Sequence, residues 1–308
     1  MTVDRVAPCW DVAMRVLVTG ATGYIGRVVM AELKAAGHTS IPFTGDVRSR
    51  DGVEGFGDVD AVVHLAAVAR VRESFEDPVR YYDVNVGGTV NLLRSPNLLR
   101  SPPPRFVLAS TAGVYGTAGV SVIGEDCPRA PANPYAASKA AAEDVLAWAA
   151  ATGRVGAVAL RLFNVAGGGD RDDTRVITKA CGVAAGRAAS MEVFGDGSAV
   201  RDFVHVRDVA RAFVTAVERC GEGYAALNVG ATPASVADVL AAVERVTGRP
   251  VPVVRRPAHP GEVREQRADT KRLRALGWRP ESSDLDALVR DQWAAETRDL
   301  STGSERLG

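Results

Sequence analysis

The feature that most restricts the fold is a run near the start of the chain, RVLVTGATGYIG, residues 15–26. Its first five residues read as a short buried strand. Glycines follow at 20, 23 and 26, and an apolar-periodic helix then runs to about Ala36, closed by Gly37. In such a turn Gly20 permits the bend, Gly23 lets backbone approach a pyrophosphate, and Gly26 permits close packing of helix on strand. The helix N-terminus then faces negative charge. Glycines serving a turn alone would also fit, so the surrounding rhythm has to decide. Residues 39–44 make a weak second strand, DAVVHLAA (60–67) a third, RFVLAST (105–111) a fourth and GAVALRLFNV (156–165) a fifth. Helical patterns lie between them, near 49–55, 78–94 and 134–152. Strands alternating with helices predict an α/β fold, a Rossmann-type doubly wound parallel sheet with helices on both faces.

After Asn164 the rhythm changes. Helices near 174–187, 206–219, 235–247 and 284–296 are separated by short strands near 192–194, 226–228 and 251–254. This predicts a smaller C-terminal α/β substrate-binding domain, dividing the chain at 14–164 and 165–296, with a later strand of the main sheet open to coming from the second part. Residues 1–13 and 297–308 are expected to be flexible termini. NLLRSP at 91–96 repeats at once as 97–102 and then meets Pro103 and Pro104, which reads as a duplication lengthening a surface loop. Lys+Arg and Asp+Glu both number 37, so no global field favours nucleic acid or an anionic membrane. No apolar run is long enough to span a bilayer. The 4 cysteines show no metal-ligand spacing, so no metal is expected, and they read as reduced thiols of a cytoplasmic protein.

The stretch PYAASKAAAEDVL, 134–146, opens another helix. Asn133 suits the N-cap and Pro134 the first turn. Tyr135 and Lys139, at i and i+4, lie on one face. This is either a surface pair or a tuned acid and base. A free phenol has a pKa near 10, and a nearby positive charge favours phenolate. At an effective dielectric of about 20, a unit charge about 6 Å away is worth roughly 3 kcal/mol, or about two pKa units.

With the Gly-x-x-Gly-x-x-Gly turn, HLAA at 64–67, YYDVNVGGT at 81–89, STAGVYG at 110–116, the Tyr-x-x-x-Lys pair, RLFNV at 161–165 and VFGDGSAVRDFVHVRDVARA at 193–212, the chain resembles the extended short-chain dehydrogenase/reductases. The resemblance runs from about Met14 to Trp293, and sugar-nucleotide 4-epimerases of the UDP-glucose/UDP-galactose kind look most similar. It implies NAD held by Gly20, Gly23, Tyr24, Ile25, Gly26, Asp46, Val47, Leu65, Ala66, Ala67, Asn85 and Phe163, together with Tyr135 and Lys139. Tyr135 would take the 4-OH proton, Lys139 would hold the nicotinamide ribose, and Thr111 would hydrogen-bond the sugar's O4. Asn164, Val193, Phe194, Arg201, His259, Glu262 and Gln266 would bind the nucleotide sugar, and the family pairs two helices into a homodimer. His205 and Asp208 read as structural.

Several residues depart from the family's pattern. Thr44 stands where relatives end a strand in an acidic residue that binds the adenosine ribose. Only one Gly45-Asp46-Val47 is present, so two strands look fused or abbreviated. Arg48 and Arg50 follow, which keeps NADP open beside NAD. His259-Pro260-Gly261-Glu262 replaces an Arg-x-Gly-Asp, leaving the nucleotide open. Ala112 and Gly113 follow Thr111 where family dehydratases place an acid, and neither can move a proton. A 4-epimerase is therefore the first reading. An NAD(P)H-dependent 4-ketoreductase shares Thr, Tyr and Lys and is the alternative. A non-catalytic dinucleotide-sensing regulator is weaker, because such proteins lose Tyr or Lys.

Overall fold

A computed structural model describes residues 13–50, 53, 57–98, 102–219, 221–258 and 264–304. Strand β1 (Arg15–Thr19) is buried from Val16 onward. It turns at Gly20, with φ +65°, into helix α1 (Tyr24–Ala35), whose N-cap is Gly23. Strand β2 (Thr39–Pro42) is shorter than expected and half exposed, as suits a sheet edge. Strand β3 (Ala61–His64) is fully buried. The short helix expected near 49–55 falls mostly outside the described residues. Helix α2 (Val71–Glu76) carries no sequence signal strong enough to have been expected. The helix expected over 78–94 is α3 (Pro78–Tyr82), a π turn (Asp83–Gly87) and α4 (Gly88–Arg94).

Strand β4 (Arg105–Thr111) ends in a 3₁₀ turn, Ala112–Tyr115, followed by the two-residue strand β5 (Val122–Ile123). Helix α5 (Pro134–Ala151) starts as its sequence predicts, with the Asn133 side chain accepting from the Ala136 amide. The single strand expected over 156–165 is two, β6 (Gly156–Leu162) and β7 (Asn164–Ala166). They break at Phe163 because they serve different sheets. Helix α6 (Val176–Ala184), strands β8 (Met191–Phe194) and β9 (Val200–His205), and helix α7 (Val206–Arg219) follow. Then come β10 (Tyr224–Val229), β11 (Thr232–Ser235) and α8 (Val236–Thr247), which opens with a Ser235–Asp238 capping box. The described chain closes with β12 (Val253–Arg256), β13 (Glu265–Ala268), α9 (Lys271–Ala275) and α10 (Leu285–Ser304). Helix α10 passes residue 296, so the segment expected to be flexible is helical as far as Ser304.

The main sheet is parallel throughout and runs β2-β1-β3-β4-β6-β10. From β1 the chain first adds β2 on one side, then crosses to add β3 on the other. Ligands of such sheets bind beyond the strand C-termini at that switch. Among the described residues β2 alone lies beyond β1, which accounts for the abbreviated segment before Asp46. Strand β10 comes from the second half of the chain, as does α7, which packs beside α1 on one face of the sheet. Helices α4 and α5 cover the other face. The duplicated hexad is not simply a surface loop: Leu92 and Leu93 of the first copy and Leu98 of the second all enter that second core. Residues 99–101 lie outside the described residues. The rest of the chain forms a five-stranded sheet, β11-β9-β13-β5 with β7 beside β9, a β12–β8 pair, and a third core between α6, α8 and α10.

Candidate active site

The glycine turn is tight for identifiable reasons. A Cβ on Gly20 would stand 2.8 Å from the Ala66 amide nitrogen, and one on Gly26 would stand 2.1 Å from the Gly20 carbonyl oxygen. Gly20 therefore lets β1 pass close to the end of β3, and Gly26 lets α1 close onto the turn. Gly26→Ala is expected to lower stability by about 1–3 kcal/mol through overpacking and to weaken dinucleotide binding; a urea titration and a cofactor titration measure both. Thr19 and His64 fasten the same place. The Leu65 and Ala66 amides each donate to Thr19 Oγ1 at 3.1 Å. The threonine proton then goes to His64 Nδ1, 2.7 Å away, which leaves the imidazole proton on Nε2. Burial, with Lys139 adding to it, pushes His64 down to about 3, so it stays neutral. Sequence reading missed this lock, because Thr19 and His64 are joined only by the β1–β3 pairing.

Tyr135, Lys139 and Thr111 come together. Lys139 Nζ, buried, donates to the Ala109 carbonyl at 2.8 Å. Burial pushes its ammonium down to about 8, and Glu143 opposes that shift. Thr111 Oγ1 accepts from the Gly113 amide at 3.1 Å and shares a hydrogen bond with Tyr135. The Tyr81 ring meets Tyr135 edge-on at 6.3 Å. Burial raises the Tyr135 phenol above its ordinary value, while Thr111 and then Arg175 pull it back. Lys139 is not among the groups acting on it here. The charge argument made from the i, i+4 spacing is corrected to this extent: in the protein alone, desolvation outweighs it.

These residues line a cleft of about 470 Å³. Ile25, Leu65, Ala67, Ser110 and Phe163 line it on the main-sheet side, and Asn164, Arg175, Arg201 and Phe203 on the other. Among the described residues its charged lining residues are Lys139, Arg175 and Arg201, with no carboxylate among them. That is the chemistry of an anion site. Arg175 was missed by sequence reading. Its guanidinium lies 5.8 Å over the Tyr24 ring and pairs with Asp170 at 3.0 Å and Asp172 at 3.5 Å. Asn164 is held by donating to the Asp202 carbonyl at 2.9 Å.

Other expected site residues stand elsewhere. Asn85 is buried, accepts from the Val68 amide at 3.0 Å and donates to Ser138 Oγ at 2.9 Å. It clamps the loop after β3 to α5 and does not line the cleft. The Tyr24 hydroxyl donates to the Gly167 carbonyl and joins the turn to the second half of the chain. Val47 is buried beside Gly88, where a Cβ would meet it at 2.8 Å, so its side chain packs. Asp46 is exposed, and Arg48 grips its carboxylate through its amide at 2.9 Å and Nη2 at 2.6 Å. That grip holds the Asp46 carboxyl below the usual range. Val193 faces the third core, and neither it nor Phe194 lines the cleft. Gln266 donates to the Gly116 carbonyl at 3.3 Å, tying β13 to the turn after β4. His259 and Glu262 lie outside the described residues.

The residues present fit a dinucleotide. The glycine turn leaves its backbone bare below the N-terminus of α1, at the switch point of the sheet, and the cleft beside it is cationic. Among the described residues no group of side chains could hold a metal. A sequence profile of the NAD dependent epimerase/dehydratase family matches residues 16–230. The chain is 36% identical to a UDP-glucose 4-epimerase of Streptomyces lividans, covering 90% of this chain and 94% of that protein. It is similar to the crystal structure of UDP-glucose 4-epimerase from Brucella ovis in complex with NAD, with a TM-score of 0.84, 33% identity and coverage of 92% of this chain and 98% of that one. It is also similar to a Stenotrophomonas maltophila UDP-glucose-4-epimerase with bound NAD and formylated UDP-arabinopyranose, at a TM-score of 0.85, 30% identity and coverage of 94% and 99%.

Proposed function

The chain belongs to the NAD dependent epimerase/dehydratase family, and from that premise we propose that it interconverts the C4 epimers of a UDP-sugar of the glucose/galactose kind, using NAD. The observation that carries this reading is the convergence of Tyr135, Thr111 and Lys139 on one wall of a cleft whose far side holds Asn164 and Arg201. When bound, NAD would supply the hydride acceptor, and afterwards the hydride donor, for C4 of the sugar. Gly20, Gly23 and Gly26 make room for its diphosphate, and Ile25, Leu65 and Ala67 line its path. Tyr135 takes the proton from the 4-hydroxyl and later gives it back, so there is no net redox change. Thr111 holds O4, and Lys139, one turn beyond Tyr135 on α5, lines the same cleft. Arg201 and Asn164 hold the sugar nucleotide's diphosphate, so that the 4-keto sugar stays tethered while it turns. Ala112 and Gly113 offer no acid for a dehydration.

Incubation of the purified protein with UDP-glucose, followed by chromatography, tests this. UDP-galactose is expected to form with no lasting rise in absorbance from reduced cofactor. Consumption of a 4-keto sugar with stoichiometric oxidation of NADH or NADPH, and no epimer from any 4-hydroxy sugar, would show a ketoreductase instead.

A homodimer is part of the proposal. Ala140 on α5 is buried within the chain and offers nothing to a partner. Support comes instead from Val79 and Tyr82 on α3 and Trp148 on α5, which are 75%, 44% and 75% exposed and too apolar for an open surface. Light scattering at micromolar concentration should give twice the chain mass, and a monomer mass would remove the claim. A reducing cytoplasm is also proposed, supported by the free thiols of Cys127 and the buried Cys181. No described helix is long and apolar enough to cross a membrane.

A further inference from the structure

Behind the catalytic wall lies a polar cluster that the proposed chemistry does not use. Glu143 stands one turn beyond Lys139 on α5, so Tyr135, Lys139 and Glu143 share a face at i, i+4 and i+8. Its side chain is 1% exposed. Arg161 on β6 holds the carboxylate through Nε at 3.1 and 3.2 Å and through Nη2 at 2.7 Å. Ser110 Oγ donates to the same carboxylate, as does the Tyr224 hydroxyl on β10 at 3.2 Å. Arg161 Nη1 also donates to the Tyr115 hydroxyl at 2.9 Å, and Tyr115 donates to Asn228 at 2.7 Å.

A buried ion pair is a poor source of stability, since an apolar pair of similar volume often does as well. The placement of this one points to the cleft. Lys139 is fastened to the carbonyl of Ala109, and Glu143 to the hydroxyl of Ser110, the next residue of β4. The residue after that is Thr111, and Ala109, Ser110 and Thr111 all line the cleft.

We propose that Glu143 is a positioning residue for the reaction: locked by Arg161, it fixes the end of β4 that presents Thr111 and keeps a counter-charge beside the Lys139 ammonium. The proposal rests on the epimerase reading above. The other titratable or charged groups around this pair are His64 from β3, Tyr81 from α3, Tyr115 from the 3₁₀ turn, Tyr135 on α5 itself, Arg161 from β6, Tyr224 from β10, and Arg129, which also pairs with Asp144. Glu143 alone among these acts to keep the proton on Lys139.

Glu143→Gln keeps the size and one acceptor oxygen and drops the charge. The alkaline limb of its kcat/KM profile is expected to move down by about one pH unit, a tenfold loss above pH 8 with a much smaller one near pH 6.5. The full chain without added ligand gives a readout that needs no turnover. Lys139 releases its proton at about 8 when folded and at about 10.4 when unfolded. The unfolded chain binds the extra proton between those values, so this group makes stability rise with pH across that window. In Glu143→Gln the rise begins at a lower pH. Arg161→Gln leaves the carboxylate's charge unshared and moves both the limb and the window upward. A folded variant whose rate falls by the same factor at every pH, with the window unmoved, overturns the proposal. Failure of both variants to fold also overturns it, because the cluster would then serve the core alone. Wild-type protein inactive on every nucleotide sugar counts against the epimerase reading, and the stability window still decides the case for Glu143.

Discussion

Tyr135→Phe is expected to lower kcat/KM for epimerisation by about 10²–10⁴-fold, the usual worth of a positioned acid or base. Among the described residues no other group in the cleft can replace the phenol. Thr111 keeps its proton at any working pH, Lys139 is committed to the Ala109 carbonyl, and among the described residues no carboxylate lines the site. The substitution removes one oxygen and keeps the ring that meets Tyr81, so the chain should fold as before. In the protein alone, burial holds the phenol above its ordinary pKa, and Thr111 and Arg175 only partly offset this. The base must therefore be made by positive charge arriving with the ligands. Activity should accordingly be more sensitive to loss of the phenol than of Thr111, which supplies one hydrogen bond. A Tyr135→Phe protein within tenfold of wild type would mean that the proton leaves by another route.

What could be read in the sequence was what short spacings encode. The three glycines, the Asn133–Pro134 cap and the i, i+4 placement of Tyr135 and Lys139 depend on neighbours within one turn, and the structure keeps them all. The limits of α7 were read correctly because its apolar stripe is strong. Strands β9, β11 and β13 were not read, because segments of four to six residues leave too little periodicity to detect. The break at Phe163 was missed for a related reason. An apolar run looks continuous whether it serves one sheet or two. Site residues failed or succeeded on the same principle. Thr111 ends β4 and Phe163 directly follows β6, both strands of the main sheet, and both residues reach the cleft. Val193 sits on β8 with its side chain turned inward, and one residue of strand register decides which face it takes. Arg175, His64 and Glu143 were missed because their partners lie far away in the chain, on Tyr24, Thr19 and Arg161.

Asp208→Ala is expected to lower stability by about 3–5 kcal/mol, because it unpairs a buried ionic cluster. Asp208 is fully buried in the first turn of α7. It accepts from the Glu281 and Ser282 amides, both at 2.9 Å, from Ser283 Oγ, and from Arg211 Nη2 at 2.6 Å. Its own carbonyl accepts from Trp278 Nε1 at 2.9 Å, and Ser283 Oγ accepts from the His205 amide at 2.9 Å. One carboxylate thus ties the 278–283 loop to the junction of β9 and α7, where the two halves of the chain meet. Alanine leaves two amides and a guanidinium without their acceptor. Burial alone would raise this carboxyl, but the hydrogen bonds from Ser283, Glu281, Ser282 and Arg211 hold it below the usual range. A depressed acid stabilises the fold above its unfolded pKa, about 3.9, and that contribution is lost as pH falls toward its folded value. The gap between wild type and Asp208→Ala in urea should therefore be full at neutral pH and shrink below about pH 4. Asp208 does not line the cleft, so protein that remains folded should keep near-normal kcat. A midpoint shift worth under about 1 kcal/mol at pH 7 would show that water replaces the carboxylate and that the two halves are joined elsewhere.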